Sequence, residues 1–282
     1  MPRQASLYPD THIRSGRPVL KWAGGKTQLL PALMQAMPRA FGRYFEPFLG
    51  GGALLFRLAL PGAVASDSNE ELMQFYEVVR DEPEALLTTV AQWPISRDDY
   101  YYLRAVQPED LDRVSRAARF VYLNKTCYNG LHRVNRKGQF NTPFGGKTNV
   151  RILDEANLHR ASEILRRTDL RWAGYQEVLA ETRPGDFVYL DPPYMPLGGY
   201  SDFRRYTRHF FGEEDHAELA REFRCLAERG VKALLSNSAN ERIEELYEGF
   251  AIRKVKASRQ VNCKPEGRGR ITELLIGNYP LE

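Results

Sequence analysis

An α/β fold, a parallel sheet interrupted by an inserted helical segment, is predicted by three features of this sequence. The apolar run Phe187-Val188-Tyr189-Leu190 stops at Asp191-Pro192-Pro193-Tyr194, the pattern of a buried parallel strand that delivers a rigid loop. Tyr44-Phe45-Glu46-Pro47-Phe48 reads as a strand and leads through Leu49-Gly50-Gly51-Gly52 into a helix, and a second strand, Ala63-Val64-Ala65-Ser66, ends on Asp67. From residue 69 to about 124 the periodicity is helical with no strand between, which breaks a β-α alternation.

The 282 residues suffice for one large α/β domain, or a core domain with an insertion, and 43% apolar content supports a full core. No apolar run approaches the roughly 18 residues of a membrane span. Residues 1–17 are polar and proline-bearing, unlike a signal peptide, and are expected to be loosely ordered. Cys127, Cys225 and Cys263 lack the paired spacing of a zinc site, so no metal is expected and a reducing cytoplasm fits best. The net charge of +4 says little, but its distribution says more. One basic stretch holds Lys125, His132, Arg133, Arg136, Lys137 and Lys147, and another runs from Arg253 to Arg270. Basic clusters are usually solvated faces, but aromatic and glycine residues interrupt both of these, which raises a nucleic-acid partner above its base rate.

Lys21-Trp22-Ala23-Gly24-Gly25-Lys26-Thr27 opens the ordered part and ends like a phosphate loop. Such a loop needs a glycine where this chain has Leu20, so that reading fails. A tight Gly24-Gly25 turn remains, its amides and Lys26 directed at the start of a helix (28–37), which suits a carboxylate. Next, the strand, glycine turn, helix, strand and acid described above make the mononucleotide-binding half of a Rossmann-like sheet. There the glycines allow close backbone approach, and Asp67 would accept from ribose hydroxyls. The triple glycine lacks the dinucleotide spacing, so no nicotinamide cofactor is expected.

Helices are predicted at 70–80, 83–93, 98–105 and 111–124. Tyr128 to Gly145 follows, with the turn from Asn135 to Gly138 joining two short extended arms as a hairpin. Amide, guanidinium and aromatic groups alternate along it, a set suited to reading base edges and filling a gap in a base stack. A helix at 154–168 and a strand at 170–173 come next. Beyond Asp191–Tyr194 lie a long loop (195–212), a helix (213–229), a strand (231–236), a helix (241–247), a strand (251–255), a mobile basic segment (258–270) and a final strand (271–279).

The Asp191–Tyr194 loop lies where open α/β sheets bind ligands, outside the carboxyl end of a strand. Two prolines remove competing backbone donors and leave a carboxylate, a fixed carbonyl and an aromatic face together. Two acceptors can take both hydrogens of a planar amine while the ring of Tyr194 stacks on the base behind it. Because the lone pair of a nucleobase amine is delocalised, holding its hydrogens to one side helps localise that pair toward an electrophile.

These motifs, in this order from about Val19 to Pro280, resemble the Dam family of DNA adenine-N6 methyltransferases, the D12 class. The resemblance implies a class I methyltransferase sheet with S-adenosylmethionine as donor and an adenine flipped out of double-stranded DNA as acceptor. It divides the chain into a catalytic domain (18–69 and 154–282), an inserted helical target-recognition domain ending in a β-hairpin (70–153), and a flexible amino terminus (1–17). It assigns donor binding to Trp22, Gly24, Gly25, Lys26, Phe48, Gly50, Asp67, Tyr175 and Asp191, and catalysis to Asp191, Pro192, Pro193 and Tyr194. Lys21, Tyr128, Asn129, Leu131, Arg133 and Pro143 match positions that touch DNA. The implied target is GATC, and the implied protein is a monomer at the bacterial nucleoid in the cytoplasm. His132 after Leu131 and a shorter basic tail depart from some relatives.

Three rivals stand beside this reading. A protein glutamine methyltransferase shares the two prolines and tyrosine, but its relatives carry Asn in place of Asp191 and lack the hairpin segment. An RNA adenine methyltransferase uses closer chemistry. A non-catalytic DNA-binding regulator would not need Asp191 and Tyr194 intact.

Overall fold

The computed structural model describes residues 15–135, 138–195, 211–258 and 270–281. Among these, the strands β1 (Tyr44–Glu46), β2 (Val64–Asp67), β3 (Asp169–Trp172), β4 (Phe187–Leu190), β5 (Lys232–Ser238), β6 (Ala251–Ser258) and β7 (Arg270–Gly277) form one sheet. Its order is β3-β2-β1-β4-β5-β7-β6. Strands β1 to β5 are parallel, whereas β7 runs antiparallel to β5 and β6 on either side. The order reverses between β1 and β4, so the crevice of the sheet opens above the ends of those two strands.

Both strands are buried at every position, which is why they read as continuous apolar runs rather than alternating ones. Their side chains serve two cores in turn. Phe187 and Tyr189 join one cluster with α1 (Leu30–Ala36), α2 (Ala53–Leu58), α3 (Glu70–Asp81), α4 (Pro83–Ala91), α5 (Arg97–Ala105), α6 (Arg113–Thr126) and α7 (Glu155–Leu165). Val188 and Leu190 join the other, with α8 (Tyr175–Ala180), α9 (Glu213–Glu228) and α10 (Glu241–Leu246). The helices of residues 70–126 therefore share a continuous core with the sheet.

Helix starts follow the sequence. Asn69, Ser96, Asp112, Asp154 and Asn240 each accept a backbone N–H of the first turn, giving orphan donors a partner. Helix α8 was not anticipated. The Tyr128–Gly145 hairpin forms, with Gly138 N–H on the Asn135 carbonyl at 2.9 Å. Its arms pair through single bridges, Val134 with Phe140 and Cys127 with Phe144, rather than through strands. Residues 15–17 are not loose: Gly16 N–H donates to the Phe56 carbonyl, and the Arg17 backbone makes two hydrogen bonds with the Asn157 side chain. Most of the expected 195–212 loop and the basic segment 259–269 lie outside the described residues, as do Arg136, Lys137 and Cys263.

Candidate active site

Gly50 sits at φ +47, and a Cβ there would meet the Trp22 indole at 2.8 Å, so the glycine turn and the Trp22 ring are packed face to face. Asp67, at the end of β2, clamps that turn: its two oxygens accept the N–H groups of Gly50 and Asn69, both at 2.9 Å. Burial raises its pKa, while those backbone donors pull the other way. Phe48, just beyond β1, stacks on Tyr175 at 5.2 Å, and the edge of Phe211 closes on Phe48 at 5.9 Å. The Tyr175 hydroxyl is buried without a hydrogen-bond partner among the described residues. An aromatic slot, an exposed Gly24-Gly25 turn and this unpartnered hydroxyl fit a nucleoside-bearing ligand with a charged tail.

The loop after β4 meets this cradle at one atom. The Lys26 ammonium, on a 3-10 turn (Lys26–Gln28), lies 2.8 Å from Asp191 Oδ1 and 4.6 Å above the Tyr194 ring centre, and also donates to the Gly24 carbonyl. Ser236 donates to the same Asp191 oxygen at 2.8 Å, and its hydroxyl is 2.9 Å from that of Tyr189. Burial pushes the Asp191 pKa above its ordinary value of 3.8, against the pull of Lys26 and Ser236. The loop is pegged further along, with Met195 N–H on Asn237 Oδ1 at 3.3 Å and Ser238 Oγ on the Met195 carbonyl at 2.9 Å.

Below lies Glu46, which no motif singled out. It is 2% exposed and accepts from the Tyr44 hydroxyl at 2.7 Å. Burial first, and Asp191 among lesser causes, raise its pKa from 4.5 to about 8, against Tyr44, Leu55 N–H and Lys26. The folded chain thus keeps this proton where the unfolded chain has lost it, and stability declines as pH rises from 4.5 to about 8. Melting midpoints measured against pH are expected to slope down across that window, and Glu46→Gln to flatten the slope. An acid at the end of a fully buried strand was the available signal.

On the hairpin side, Lys21 is exposed, its backbone fastened to the Asn124 side chain by bonds of 2.9 and 2.7 Å and its stem laid against Gly130. Tyr128 is 43% exposed, the adjacent Asn129 turns at φ 56, and Tyr128 N–H donates to the Pro143 carbonyl at 2.9 Å. The Leu131 carbonyl accepts from Thr142 Oγ1 at 2.6 Å, while Arg133 Nε donates to Asn141 Oδ1 at 2.8 Å. Tyr100 on α5 anchors the Thr142 carbonyl at 2.8 Å. Burial and then Lys21 lower the Lys125 pKa to about 8. His132 turns inward and stacks on Trp22 at 5.2 Å, which joins hairpin and cradle. Contacts thus link Trp22, Gly50 and Asp67 on one side of the Trp22–Lys26 turn and Lys26, Asp191 and Tyr194 on the other, while Phe48 packs with Tyr175. The hairpin meets this group where His132 stacks on Trp22 and Gly130 packs on Lys21.

The mostly parallel seven-stranded sheet with one reversed strand makes a mixed α/β fold consistent with the class I methyltransferase fold. Residues 22–261 match the model of the D12 class N6 adenine-specific DNA methyltransferase family, and the chain belongs to that family. It is therefore an adenine-specific DNA methyltransferase. It is 42% identical to the type II methyltransferase M.MjaIII of Methanocaldococcus jannaschii, over 93% of this chain and 99% of that one. The type II methyltransferase M1.LlaDCHI of Lactococcus lactis subsp. cremoris is 40% identical over 93% and 95%. The DNA adenine methylase of Escherichia coli is 30% identical over 93% and 95%. Among solved structures, a precorrin 8W decarboxylase covers 96% of this chain at 12% identity and a TM-score of 0.37, too low to carry an argument. No helix among the described residues is long and apolar enough to cross a membrane.

Proposed function

We propose that the enzyme binds S-adenosylmethionine in the Trp22–Lys26, Phe48–Gly50, Asp67 and Tyr175 cradle, flips an adenine out of double-stranded DNA, and methylates its N6, with GATC as the target. One observation carries this reading: Asp191 Oδ1 and the Tyr194 face converge on a single ammonium, that of Lys26. The chain's own amine occupies the place of a substrate amine, between an acceptor and an aromatic surface.

When bound, S-adenosylmethionine supplies an electrophilic methyl group. Asp191 and the Pro192 carbonyl accept the two N6 hydrogens, Pro193 keeps the loop stiff, and Tyr194 stacks on the purine. Extrusion costs a few kcal/mol. Stacking returns about 1–3 kcal/mol, and the polar contacts supply the rest. Adenine can enter only when the Lys26 ammonium withdraws, and the adjoining Gly24 amide marks where an anionic group would draw it, the expected Gly25 amide being taken by the Trp22 carbonyl at 3.0 Å.

The segment 70–153 is the target-recognition part. Tyr128, exposed beside the crevice, fills the space the base vacates. Lys21, Asn129, Leu131 and Pro143 complete the rim, and a single copy of the chain carries every residue of the site. Asn141 orients the Arg133 guanidinium for a guanine edge. Arg133→Ala is therefore expected to lose roughly 1–3 kcal/mol of discrimination at one base pair. Methylation rates on duplexes varied one position at a time check this; a uniform loss on all of them would assign Arg133 to a phosphate. For the target itself, the enzyme is produced in a host lacking adenine methylation. Host DNA is expected to resist a nuclease blocked by methylated GATC, and continued cutting there would overturn that target.

A further inference from the structure

We propose that Glu273 is a positioning residue for methyl transfer: its carboxylate, buried on β7, holds the Tyr194 phenol and so fixes the position of the ring on which the extruded adenine stacks. The inference rests on the stacking role of Tyr194 proposed above.

The Tyr194 hydroxyl donates to Glu273 Oε2. Glu273 is 8% exposed and stands in the run Ile271-Thr272-Glu273-Leu274-Leu275-Ile276, where Leu274, Leu275 and Ile276 are fully buried. A carboxylate among such neighbours is costly unless it is hydrogen-bonded, so its place calls for a reason. The strand order supplies one. Strand β7 lies between β5 and β6, and Glu273 is in register with Ser238 of β5. Ser238 fixes the Met195 carbonyl and Ser236 fixes Asp191. Two adjacent strands thus peg the loop at its acid, at its far end and at the phenol. Lys26 touches one face of the Tyr194 ring, while Glu273 restrains the ring at its hydroxyl.

Two torsions place a tyrosine ring, and a bond to the para hydroxyl, which lies on the Cβ–Cγ axis, fixes the direction of that axis and so keeps the ring from swinging about Cα–Cβ. Base stacking depends on ring position and offset, so a swinging ring would misplace the amine relative to its electrophile. Glu273 touches neither base nor donor in this account. It acts through Tyr194.

The test uses the full-length enzyme with two duplexes, one with adenine at the target position for kcat and one carrying 2-aminopurine there, which has no 6-amino group to methylate and whose emission rises on extrusion and is quenched by stacking. Glu273→Ala is expected to lower kcat roughly 10- to 100-fold and raise the emission of the bound complex, because a misplaced reacting group costs rate on that scale. Donor affinity should stay unchanged. Glu273→Gln, which still accepts from the phenol, should restore both readouts. Tyr194→Phe should reproduce the Glu273→Ala losses, and the two changes together should add little more, as expected for residues acting as a pair. Tyr194→Ala separates the two readings. If it raises the emission and Glu273→Ala does not, the role of Glu273 is overturned while stacking stands. If Tyr194→Ala leaves the emission unchanged, stacking itself fails and this inference with it. Should Glu273→Ala fail to fold, Tyr194→Phe against wild type decides alone, since unchanged kcat and emission there reject any role for the phenol–carboxylate bond.

Discussion

Replacement of Asp191 by Ala is expected to lower methyl transfer to DNA by about 10²- to 10³-fold or more, the scale on which loss of one preorganised polar partner slows a reaction. Asp191 Oδ1 already gathers Lys26 and Ser236 at 2.8 Å each, so its position is fixed before any substrate arrives. Ala at 191 removes the acceptor and leaves the Lys26 ammonium, only 5% exposed, without its counter-ion. DNA affinity should be nearly unchanged, since the proposed reading assigns phosphate and base-edge contacts to the hairpin and not to Asp191. Single-turnover methylation and DNA titration on the same variant separate the two effects. Full activity in that variant would refute the assigned role.

The second large effect is expected for Lys26→Met. Breaking a buried ion pair by removing one member costs about 3–5 kcal/mol in stability, although the one-fifth exposure of Asp191 tempers this. The sign in pH follows from the cause. Lys26 holds the Asp191 pKa down against burial, so without it that pKa climbs further above 3.8. In the proposed reaction the carboxylate is ionised and Lys26 sits on it only before adenine enters, so the acidic limb of the kcat/KM profile, which reports the free enzyme, should move to higher pH in Lys26→Met. Stability moves in the same window. A carboxyl with a raised folded pKa loses stability as pH rises from 3.8 through that value, and the loss should be steeper in the variant. Rate profiles and melting midpoints across pH test both statements, and an unshifted acidic limb would show that Lys26 does not govern Asp191.

Much of the site was legible because its parts are local in the chain. The Phe187–Leu190 run and its prolines give strand and loop directly, since a doubly buried parallel strand needs apolar residues throughout. The glycine turn and the acid after it lie within 17 residues of each other, where Asp67 binds Gly50 N–H. Glu46 and Glu273 escaped notice because one acid inside an apolar strand has no period and no motif. Their meaning depends on what lies across the sheet. Ser236 and Phe211 were missed for the same reason, each acting on a residue at least 45 positions away.

The sequence by itself determined the α/β class, the glycine turn, the Asp191–Tyr194 loop and the hairpin, because burial periodicity and turn chemistry act between near neighbours. Only the tertiary structure decided that β7 would enter between β5 and β6, that Lys26 would reach both Asp191 and Tyr194, and that Glu46 would hold its proton to about pH 8. Those outcomes depend on through-space pairing and on the low dielectric of a closed core, which exist only once the distant strands have met.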